Sequence, residues 1–256
     1  QQYFDYLKNL VIHGDLGTSY TTKQPVMTEI LGRMPTTLIL AGLSVLVSVG
    51  IGVPLGICAA TWQNSPIDYC STLLSLLGVS MPNFWQGLMN ILIFSVYLHW
   101  LPSSGFYGPT YWILPVLTVG TSSMATITRT TRASMLEVIR QDYIRTARAK
   151  GQSERKVIVH HALKNALIPI ITVAGLEFGG LLGGAVLTES VFAIPGVGKY
   201  MLDAISARNY PVILGGVLVL ALIYSLINLL VDVIYAYADP RMKSQYRTVK
   251  KKGGTV

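Results

Sequence analysis

Three long stretches of this chain contain no charged side chain. Asp, Glu, Lys and Arg are absent from residues 34–67, 69–128 and 209–231. A helix needs about 20 apolar residues to cross the ~30 Å hydrocarbon core of a bilayer, because each residue advances it by about 1.5 Å. Every backbone polar group inside the bilayer must be satisfied within the segment, as it is in a helix. These stretches therefore predict an all-α, polytopic bundle of transmembrane helices.

The charged residues are too few for a soluble domain of this size. Only 12% of the residues are charged and 51% are hydrophobic, whereas a soluble domain carries about 25% charged residues. The net charge of +8 is compatible with nucleic-acid binding. However, Lys and Arg are concentrated beside the apolar stretches, which favours a role in orienting the chain in a bilayer. We therefore expect membrane lipid, and no nucleic acid, among the partners.

Hydropathy predicts five spanning helices. Their approximate bounds are residues 36–61, 72–98, 111–129, 166–190 and 211–237. Pro and Gly cluster in residues 98–110, so the longest charge-free stretch is predicted to be a hairpin of two spans. We expect residues 1–35 to form an external amphipathic segment, either on the membrane surface or as a solvated cap. Residues 36–240 are the predicted membrane domain, with a cytoplasmic loop at 130–164, and residues 241–256 are a basic tail.

The distribution of Lys and Arg predicts which loops face the cytoplasm, because these residues are retained on that side. Residues 129–164 contain nine of them and residues 241–252 contain six. Residues 1–35 contain three, residues 98–110 none and residues 191–210 two. An odd number of spans places the two ends of the chain on opposite sides. The long basic loop and the C-terminus are therefore predicted to be cytoplasmic.

The long basic loop contains apolar residues at helical spacing. They are Met135, Leu136, Val138, Ile139, Tyr143 and Ile144. This pattern predicts a short helix with one apolar face. Such a helix could insert its apolar face into a groove on another protein, or it could lie on anionic lipid as a basic interfacial helix. The pattern alone leaves both possibilities open.

Six ordered segments carry a resemblance to a known family. They are HGDLGTSY at 13–20, GVSMPNFW at 78–85, RASMLEVIRQDYIRTARAKG at 132–151, HALKNALIPII at 161–171, LTESVFAIPGVGKY at 187–200 and NLLVDVIYAYADPR at 228–241. On these segments the chain resembles the permease subunits of bacterial ATP-binding-cassette importers of the dipeptide, oligopeptide and nickel group. Members of that family usually begin with an additional spanning helix and a longer external segment. A six-span native subunit is therefore an expectation from the resemblance.

The resemblance implies a location and a set of partners. The chain is expected in the bacterial inner membrane, where a second homologous permease subunit completes the translocation path. Two cassette ATPase subunits are expected on the cytoplasmic side, and a substrate-binding protein is expected on the outer side. Peptide is the expected substrate, with nickel or a nickel chelate as the alternative. A channel, a lipid-anchoring protein and a membrane enzyme are further alternatives for which the sequence offers no positive feature.

The family shares a cytoplasmic motif of Glu-Ala-Ala, three residues and Gly. Here the matching residues 145–151 read RTARAKG, so Arg and Thr replace the first two motif residues, and the downstream apolar-Leu-Pro element is best matched at 167–169. The resemblance implies that residues 139–151 form a coupling helix that docks on an ATPase. The expected coupling residues are Ile139, Asp142, Tyr143, Arg145, Thr146, Ala147, Arg148, Ala149, Lys150 and Gly151. Ala147 and Ala149 would permit close approach, Gly151 a sharp exit from the helix, and the basic residues contacts with acidic groups.

The chain lacks the residues that ATP hydrolysis would require. No Gly-x4-Gly-Lys-Ser/Thr loop occurs, and the four His residues are not placed to complete a hydrolytic triad. Cys58 and Cys70 match no metal-ligand spacing and are interpreted as small apolar residues. We therefore expect no catalytic residue, metal site or cofactor in this chain, with ATP and Mg²⁺ bound by the partner ATPases.

A few residues are candidates for the translocation path and its outer end. Glu177 is the one carboxylate deep in a predicted span, where it either attracts a cationic or zwitterionic substrate or serves in packing. Ser80, Met81, Pro82 and Asn83 either line the path or form an ordinary kink. Glu189 and Asp232 are expected to be interface or cap residues. By resemblance, Phe192, Pro195 and Gly196 are expected near the outer gate.

Overall fold

The computed structural model describes residue 12 and residues 14–238, the last three by their backbone alone. The regular secondary structure of this part of the chain consists of helices, and an isolated β-bridge joins Thr18 and Pro25. The α-helices are α1 Val26–Thr61, α2 Pro66–Ser80, α3 Asn83–Asn90, α4 Thr110–Ile139, α5 Asp142–Ala149, α6 Glu154–Lys156, α7 Leu163–Gly184, α8 Val186–Val191, α9 Val197–Ser206 and α10 Tyr210–Ala238. Two π-helices, π1 Ile91–Tyr97 and π2 Val157–Ala162, continue α3 and precede α7. Residues 1–11 of the predicted external segment and the predicted tail at 241–256 lie outside the described residues.

Three of the predicted spans correspond to continuous helical stretches that are long and apolar enough to cross a bilayer. They are Val26–Thr61, Glu154–Gly184 and Tyr210–Tyr235. Many large apolar side chains along these helices are exposed, including Leu46, Leu222 and Leu229. Such exposure is stable when lipid rather than water is the solvent. The predicted all-α membrane bundle is confirmed.

The other two predicted spans differ from a single uninterrupted apolar helix. The span predicted at 72–98 is divided between α2 and α3, because the chain leaves the helix at Met81 and Pro82. Pro82 adopts an extended conformation with φ −61° and ψ 134°, and it lacks the N–H that would continue the helix. The span predicted at 111–129 forms the first part of α4, which continues past Arg129 to Ile139.

One compact unit comprises, among the described residues, 12, 14–47, 80–122 and 178–225. It contains two clusters of buried apolar side chains. The first comprises Leu16, Val26, Ile30, Met34, Val197, Met201, Ala204, Val212 and Val219. The second comprises Leu40, Leu114, Val116, Ala185, Phe192 and Ile194. The buried Asn209 amide donates to the hydroxyls of Ser19 at 2.9 Å and Thr21 at 3.0 Å, which ties the segment before α1 to the start of α10.

A second compact unit comprises, among the described residues, 48–79, 123–177 and 226–238. Its buried cluster draws side chains from α1, α4, α5, π2 and α7. The members are Ala60, Ile127, Met135, Ile144, Ala147, Val157, Ile158, Ala162, Ala166 and Ile170. The predicted coupling segment therefore contributes two side chains, Ile144 and Ala147, to the core of this unit.

Two glycines of α1 allow a close approach to α4 within the second unit. A Cβ atom at Gly52 would lie 2.9 Å from the carbonyl oxygen of Met124, and one at Gly56 would lie 2.7 Å from that of Thr128. Residues four apart share one face of a helix, and small residues at that spacing let helices pack closely in lipid. The two helices therefore meet backbone to backbone along this face.

Replacing Gly56 with Ala should lower the free energy of unfolding by about 1–3 kcal/mol, because the added methyl overpacks a contact with backbone atoms. The measurement is thermal unfolding of the purified protein in detergent. Gly50 of the same helix has no atom within 4 Å of a Cβ placed there. Gly50→Ala is therefore the matched control and should leave stability unchanged or slightly raised. Equal unfolding temperatures for the two variants would contradict the close approach.

Candidate coupling site

The predicted coupling helix is α5, a short helix separated from α4 by a bend. Gln141 precedes it with an extended backbone at φ −71° and ψ 149°. Ile139 is the last residue of α4, so the expectation that it belongs to the coupling helix is wrong, as is the prediction of one helix from Met135 to Ile144. The apolar periodicity is continuous across the bend because both helices face the same buried cluster.

The two faces of α5 have different environments. Ile144 and Ala147 are 0% and 7% exposed and belong to the core of the second unit. Ala147 therefore packs within its own chain, which departs from the expected close approach to a partner. The exposed positions are Asp142, Tyr143, Arg145, Thr146, Arg148, Ala149 and Lys150. This half-buried helix thus offers one polar, basic face to solvent or to another protein.

The helix ends in a turn that Gly151 makes possible. Gly151 has φ +74°, a left-handed conformation in which a side chain would be strained. Its N–H donates to the carbonyl of Arg148 at 2.9 Å, and that of Gln152 donates to the carbonyl of Ala147 at 3.4 Å. These two bonds form a Schellman motif. The predicted sharp exit at Gly151 is confirmed.

Charged groups next to this turn are paired within the chain. Arg148 Nε donates to Glu154 Oε1 at 2.7 Å, and its Nη2 donates to Oε2 at 3.3 Å. Arg145 Nη1 lies 3.7 Å from Asp142 Oδ1, with both side chains largely exposed. An exposed pair of this kind contributes little to stability. Arg148 is thus engaged across the turn, while Arg145 and Lys150 project from the exposed face.

An ion pair between a buried carboxylate and a partly exposed guanidinium lies in the same unit and was not predicted from the sequence. Arg132 on α4 donates from Nε to Asp68 Oδ1 at 2.6 Å and from Nη2 to Oδ2 at 2.7 Å. The Asp68 side chain is 4% exposed and also accepts from the backbone N–H of Asn64 at 3.0 Å. The Arg132 guanidinium holds the pKa of the Asp68 carboxyl below its usual value, although burial opposes the shift. The sequence feature that could have indicated this pair is the isolated position of Asp68 between two charge-free stretches, 34–67 and 69–128.

The path candidates occupy two separate places in the chain. Ser80 ends α2, Met81 and Pro82 form the break, and Asn83 begins α3, with each side chain half-buried or exposed. Glu177 on α7 is half-buried, and its Oε2 accepts a hydrogen bond from the Ser123 hydroxyl at 2.6 Å. The expected helix break is confirmed, whereas lining of a path by these residues stays a prediction.

Glu189 has a more buried position than was expected from the sequence. It is 0% exposed, and its Oε1 accepts from the Thr37 hydroxyl at 2.7 Å while its Oε2 accepts from the backbone N–H of Lys199 at 3.0 Å. The Thr37 hydroxyl in turn accepts from the N–H of Val197 at 2.9 Å. Glu189 and Thr37 therefore cap the N-terminus of α9, which fits the predicted cap role. Asp232, the other residue predicted as an interface or cap group, is exposed on α10.

The predicted outer-gate residues follow Glu189 closely in the chain, and Gly196 lies against its carboxylate. Phe192 is 1% exposed and packs in the second apolar cluster of its unit. A Cβ atom at Gly196 would collide with the Glu189 carboxylate, so a larger residue there would require the carboxylate to move. Pro195 is exposed at the tip of the turn. The Phe192 side chain thus serves as a core residue here, and Pro195 is the surface-exposed member of the three.

A second contact joins α9 to α1 in the same unit. The Tyr200 hydroxyl donates to Glu29, which also accepts from the Thr22 hydroxyl at 3.0 Å. Burial, followed by the neighbouring Glu29 carboxylate, raises the pKa of Tyr200 to about 12. The Arg33 guanidinium lies 4.0 Å from the centre of the Tyr200 ring, a cation–π arrangement. The helix α9 is thus attached to α1 at both Thr37 and Glu29.

Comparison with known proteins gives a consistent result. The family described as binding-protein-dependent transport system inner membrane component matches residues 52–244. The chain is 47% identical, over 270 aligned residues, to a dipeptide transport system permease protein of Alkalihalophilus pseudofirmus, covering 94% of this chain and 81% of the relative. It is 44% identical to the di/tripeptide transport system permease protein of Pseudomonas aeruginosa, covering 96% and 81%. It is 43% identical to the glutathione transport system permease protein of Escherichia coli K12, covering 94% and 79%.

A solved structure supports the fold. The MetNI methionine ABC transporter in an inward-facing conformation superposes with a TM-score of 0.71, covering 83% of this chain and 97% of that chain. The sequence identity is 19%, so this likeness concerns the arrangement of helices.

Proposed function

This chain belongs to the family of binding-protein-dependent transport system inner membrane components, and on that premise we propose that it forms one half of the translocation path of an ATP-driven peptide importer. It is a multi-pass membrane permease subunit, in agreement with its three apolar spanning helices. Its relatives are named as permeases of transport systems rather than as enzymes. Chemistry on ATP therefore belongs to other subunits.

The proposed substrate class is peptides. The relatives carry names that specify dipeptide, di/tripeptide and glutathione transport, and glutathione is itself a short peptide. These names favour peptides over the nickel or nickel chelate that the sequence left as an alternative. In the proposed path, Glu177 attracts the cationic end of a zwitterionic substrate, and Ser80, Met81, Pro82 and Asn83 line the broken helix. Phe192, Pro195 and Gly196 belong to the turn at the proposed outer gate.

The proposed assembly contains a second homologous permease, two cassette ATPases that bind ATP and Mg²⁺, and an extracytoplasmic substrate-binding protein. The proposed orientation places loop 130–164 and the C-terminus in the cytoplasm, because most Lys and Arg residues lie there. The ATPases then meet the exposed face of α5. Movement of that face is transmitted inward because Ile144 and Ala147 are fixed in the core of the second unit.

One observation carries this proposal. One face of α5 is buried in the second unit, which also contains the N-terminal part of α7, and the other face of α5 is exposed and basic. A helix held in this way transmits force applied to its exposed side, whereas a freely hinged loop would absorb it. The basic side chains suit acidic groups on a partner.

Charge reversal on the exposed face tests the proposal. The double variant Arg145→Glu and Lys150→Glu should reduce peptide-stimulated ATP hydrolysis by the reconstituted importer about tenfold or more, because charge reversal at an interface costs several kcal/mol. Membrane insertion should be unchanged, since both side chains are exposed. Arg155→Glu, at an exposed residue of α6 outside this face, is the matched control. Normal coupled hydrolysis by the double variant would reject the assigned docking face.

The orientation is tested separately by labelling. In a variant without Cys58 and Cys70, a cysteine placed at Arg145 should react with a membrane-impermeant reagent only after the cytoplasmic side is opened. Reaction in intact cells would show that this loop lies outside the cell and that the proposed topology is wrong.

A further inference from the structure

A hydrogen bond between two side chains connects the segment just after α5 to the π-helix that precedes α7. His161 Nε2 lies 2.8 Å from Gln152 Oε1, and both residues are half-buried. Gln152 is the third residue after α5, and His161 lies on π2, which leads directly into α7. The bond thus joins the residue that follows the Gly151 turn to π2, and the backbone bond from the N–H of Gln152 to the carbonyl of Ala147 links that residue back to α5.

The direction of the Gln152 side chain is fixed by the turn that precedes it. In the Schellman motif at Gly151, the N–H of Gln152 is held by the carbonyl of Ala147 at 3.4 Å. This position of the motif usually carries an apolar residue that packs back on the helix. Here it carries an amide that reaches π2 instead. The backbone motif therefore presents Gln152 to His161.

The π-helix is supported on its other sides. Val157, Ile158 and Ala162 are buried in the cluster that contains Ile144 and Ala147 of α5. The wider π turn alters the backbone hydrogen bonding, and the Asn165 amide donates to the carbonyl of His161 at 2.8 Å. Apolar packing thus holds one face of π2 against α5, and the Gln152 contact holds the side chain of His161.

We propose that the Gln152–His161 hydrogen bond is a positioning contact that makes α5 and π2 move as one body, so that displacement of α5 reaches α7 without slippage. The inference rests on the proposed function of α5 as the ATPase docking element. Apolar packing resists separation of α5 from π2, and small sliding of one packed helix past the other is the remaining motion that could change their register. A directional hydrogen bond between two fixed backbones supplies that register.

The test compares variants in the complete importer, reconstituted in liposomes with its ATPases and substrate-binding protein. Gln152→Ala and His161→Phe each remove the hydrogen bond, and His161→Phe keeps an aromatic ring. Each should lower the number of labelled dipeptide molecules transported per ATP hydrolysed about two- to tenfold, the factor equivalent to one net hydrogen bond. The double variant should be no worse than either single variant, because both remove the same contact.

Two further variants separate positioning from general stability. Gln152→Glu retains an acceptor oxygen at the same side-chain length. It should therefore keep the wild-type number of dipeptide molecules transported per ATP hydrolysed. His160→Ala changes the exposed neighbouring histidine of π2 and should leave the ratio unchanged. A role in stability alone would lower the unfolding temperature and the amount of assembly, but it would not change the ratio of transport to hydrolysis.

The outcomes distinguish this inference from the proposed function. If the wild-type importer couples hydrolysis to transport and the Gln152 and His161 variants keep the same ratio, the positioning role is overturned while the proposed function stands. Additive effects of the two substitutions would also overturn it. If the wild-type assembly shows no peptide-dependent hydrolysis at all, the proposed function fails and the positioning role fails with it.

Discussion

Replacing Arg132 with Ala should lower the free energy of unfolding by about 3–5 kcal/mol, because removal of one partner leaves a buried charge uncompensated. The remaining Asp68 side chain is 4% exposed, and it would lose both guanidinium hydrogen bonds, at 2.6 and 2.7 Å. Lys at this position should restore only part of the stability, since an ammonium cannot form the bidentate pair. Thermal unfolding of the purified protein in detergent measures the effect.

Two further variants show whether the loss arises from the buried pair. Arg129 is exposed one turn earlier on α4, so Arg129→Ala should have little effect on the unfolding temperature. Combining Arg132→Ala with Asp68→Ala should be less damaging than Arg132→Ala alone, because the uncompensated carboxylate is removed as well. A fully additive double variant would show that the two side chains do not interact in the folded protein.

The pair also gives the stability a defined dependence on pH. Because the pKa of Asp68 is lowered in the folded state, its contribution is present above the ordinary carboxyl pKa of about 4 and is lost as the pH falls through the lowered value. The Arg132→Ala variant should therefore lose less stability than the wild type on acidification through that range. This comparison uses the same unfolding measurement at several pH values.

Replacing Glu189 with Ala should also be strongly destabilising, by about 3 kcal/mol or more, because each buried donor left without an acceptor costs about 1–3 kcal/mol. The affected donors are the hydroxyl of Thr37 and the backbone N–H of Lys199, at 2.7 and 3.0 Å from the carboxylate. The substitution would also leave a cavity beneath Gly196, whose α-carbon approaches the carboxylate too closely to admit a Cβ. The readout is the unfolding temperature of the purified protein in detergent.

A graded series distinguishes capping by Glu189 from a general effect of losing a carboxylate. Glu189→Gln keeps one acceptor oxygen but replaces the other with an NH2 group, which would face existing donors. Its unfolding temperature should therefore lie between those of the wild type and Glu189→Ala. Thr37→Val should reduce stability as well, because the Thr37 hydroxyl bonds both Glu189 and the N–H of Val197. Glu137→Ala, at an exposed carboxylate of α4, is the neutral control. Similar unfolding temperatures for Glu189→Ala and Glu137→Ala would contradict the capping role.

The membrane helices were predictable from the sequence because hydropathy reflects the solvent that surrounds them. The start of the first span and the end of the third were predicted less accurately, because charged residues belong to those helices. The first span was predicted from residue 36, whereas α1 begins at Val26. Glu29 and Arg33 are accommodated because Tyr200 contacts both. Such pairing depends on a residue far away in the chain, which a local average of hydropathy does not include.

The candidate site was predictable to a similar extent. The position of the coupling helix and the turn at Gly151 follow from local spacing and from the need for a left-handed residue. The sequence predicts only in part which residues of this helix are buried and which are exposed, since Ala147 was expected to face a partner but packs inward. The Asp68–Arg132 pair joins residues 64 positions apart. No local pattern indicates which basic residue of a loop with many such residues pairs with a given carboxylate.

The left-handed backbone at Gly151 limits how this position can change by mutation. A single-nucleotide change in a glycine codon yields Ala, Ser, Cys, Trp, Val, Arg, Asp or Glu, but never Asn. Among these, Asp is the one that tolerates positive φ comparatively well. It would place a negative charge at the carboxyl end of α5, where the helix dipole disfavours it. No single-nucleotide change at the Gly151 codon therefore supplies a residue that is equivalent in this position.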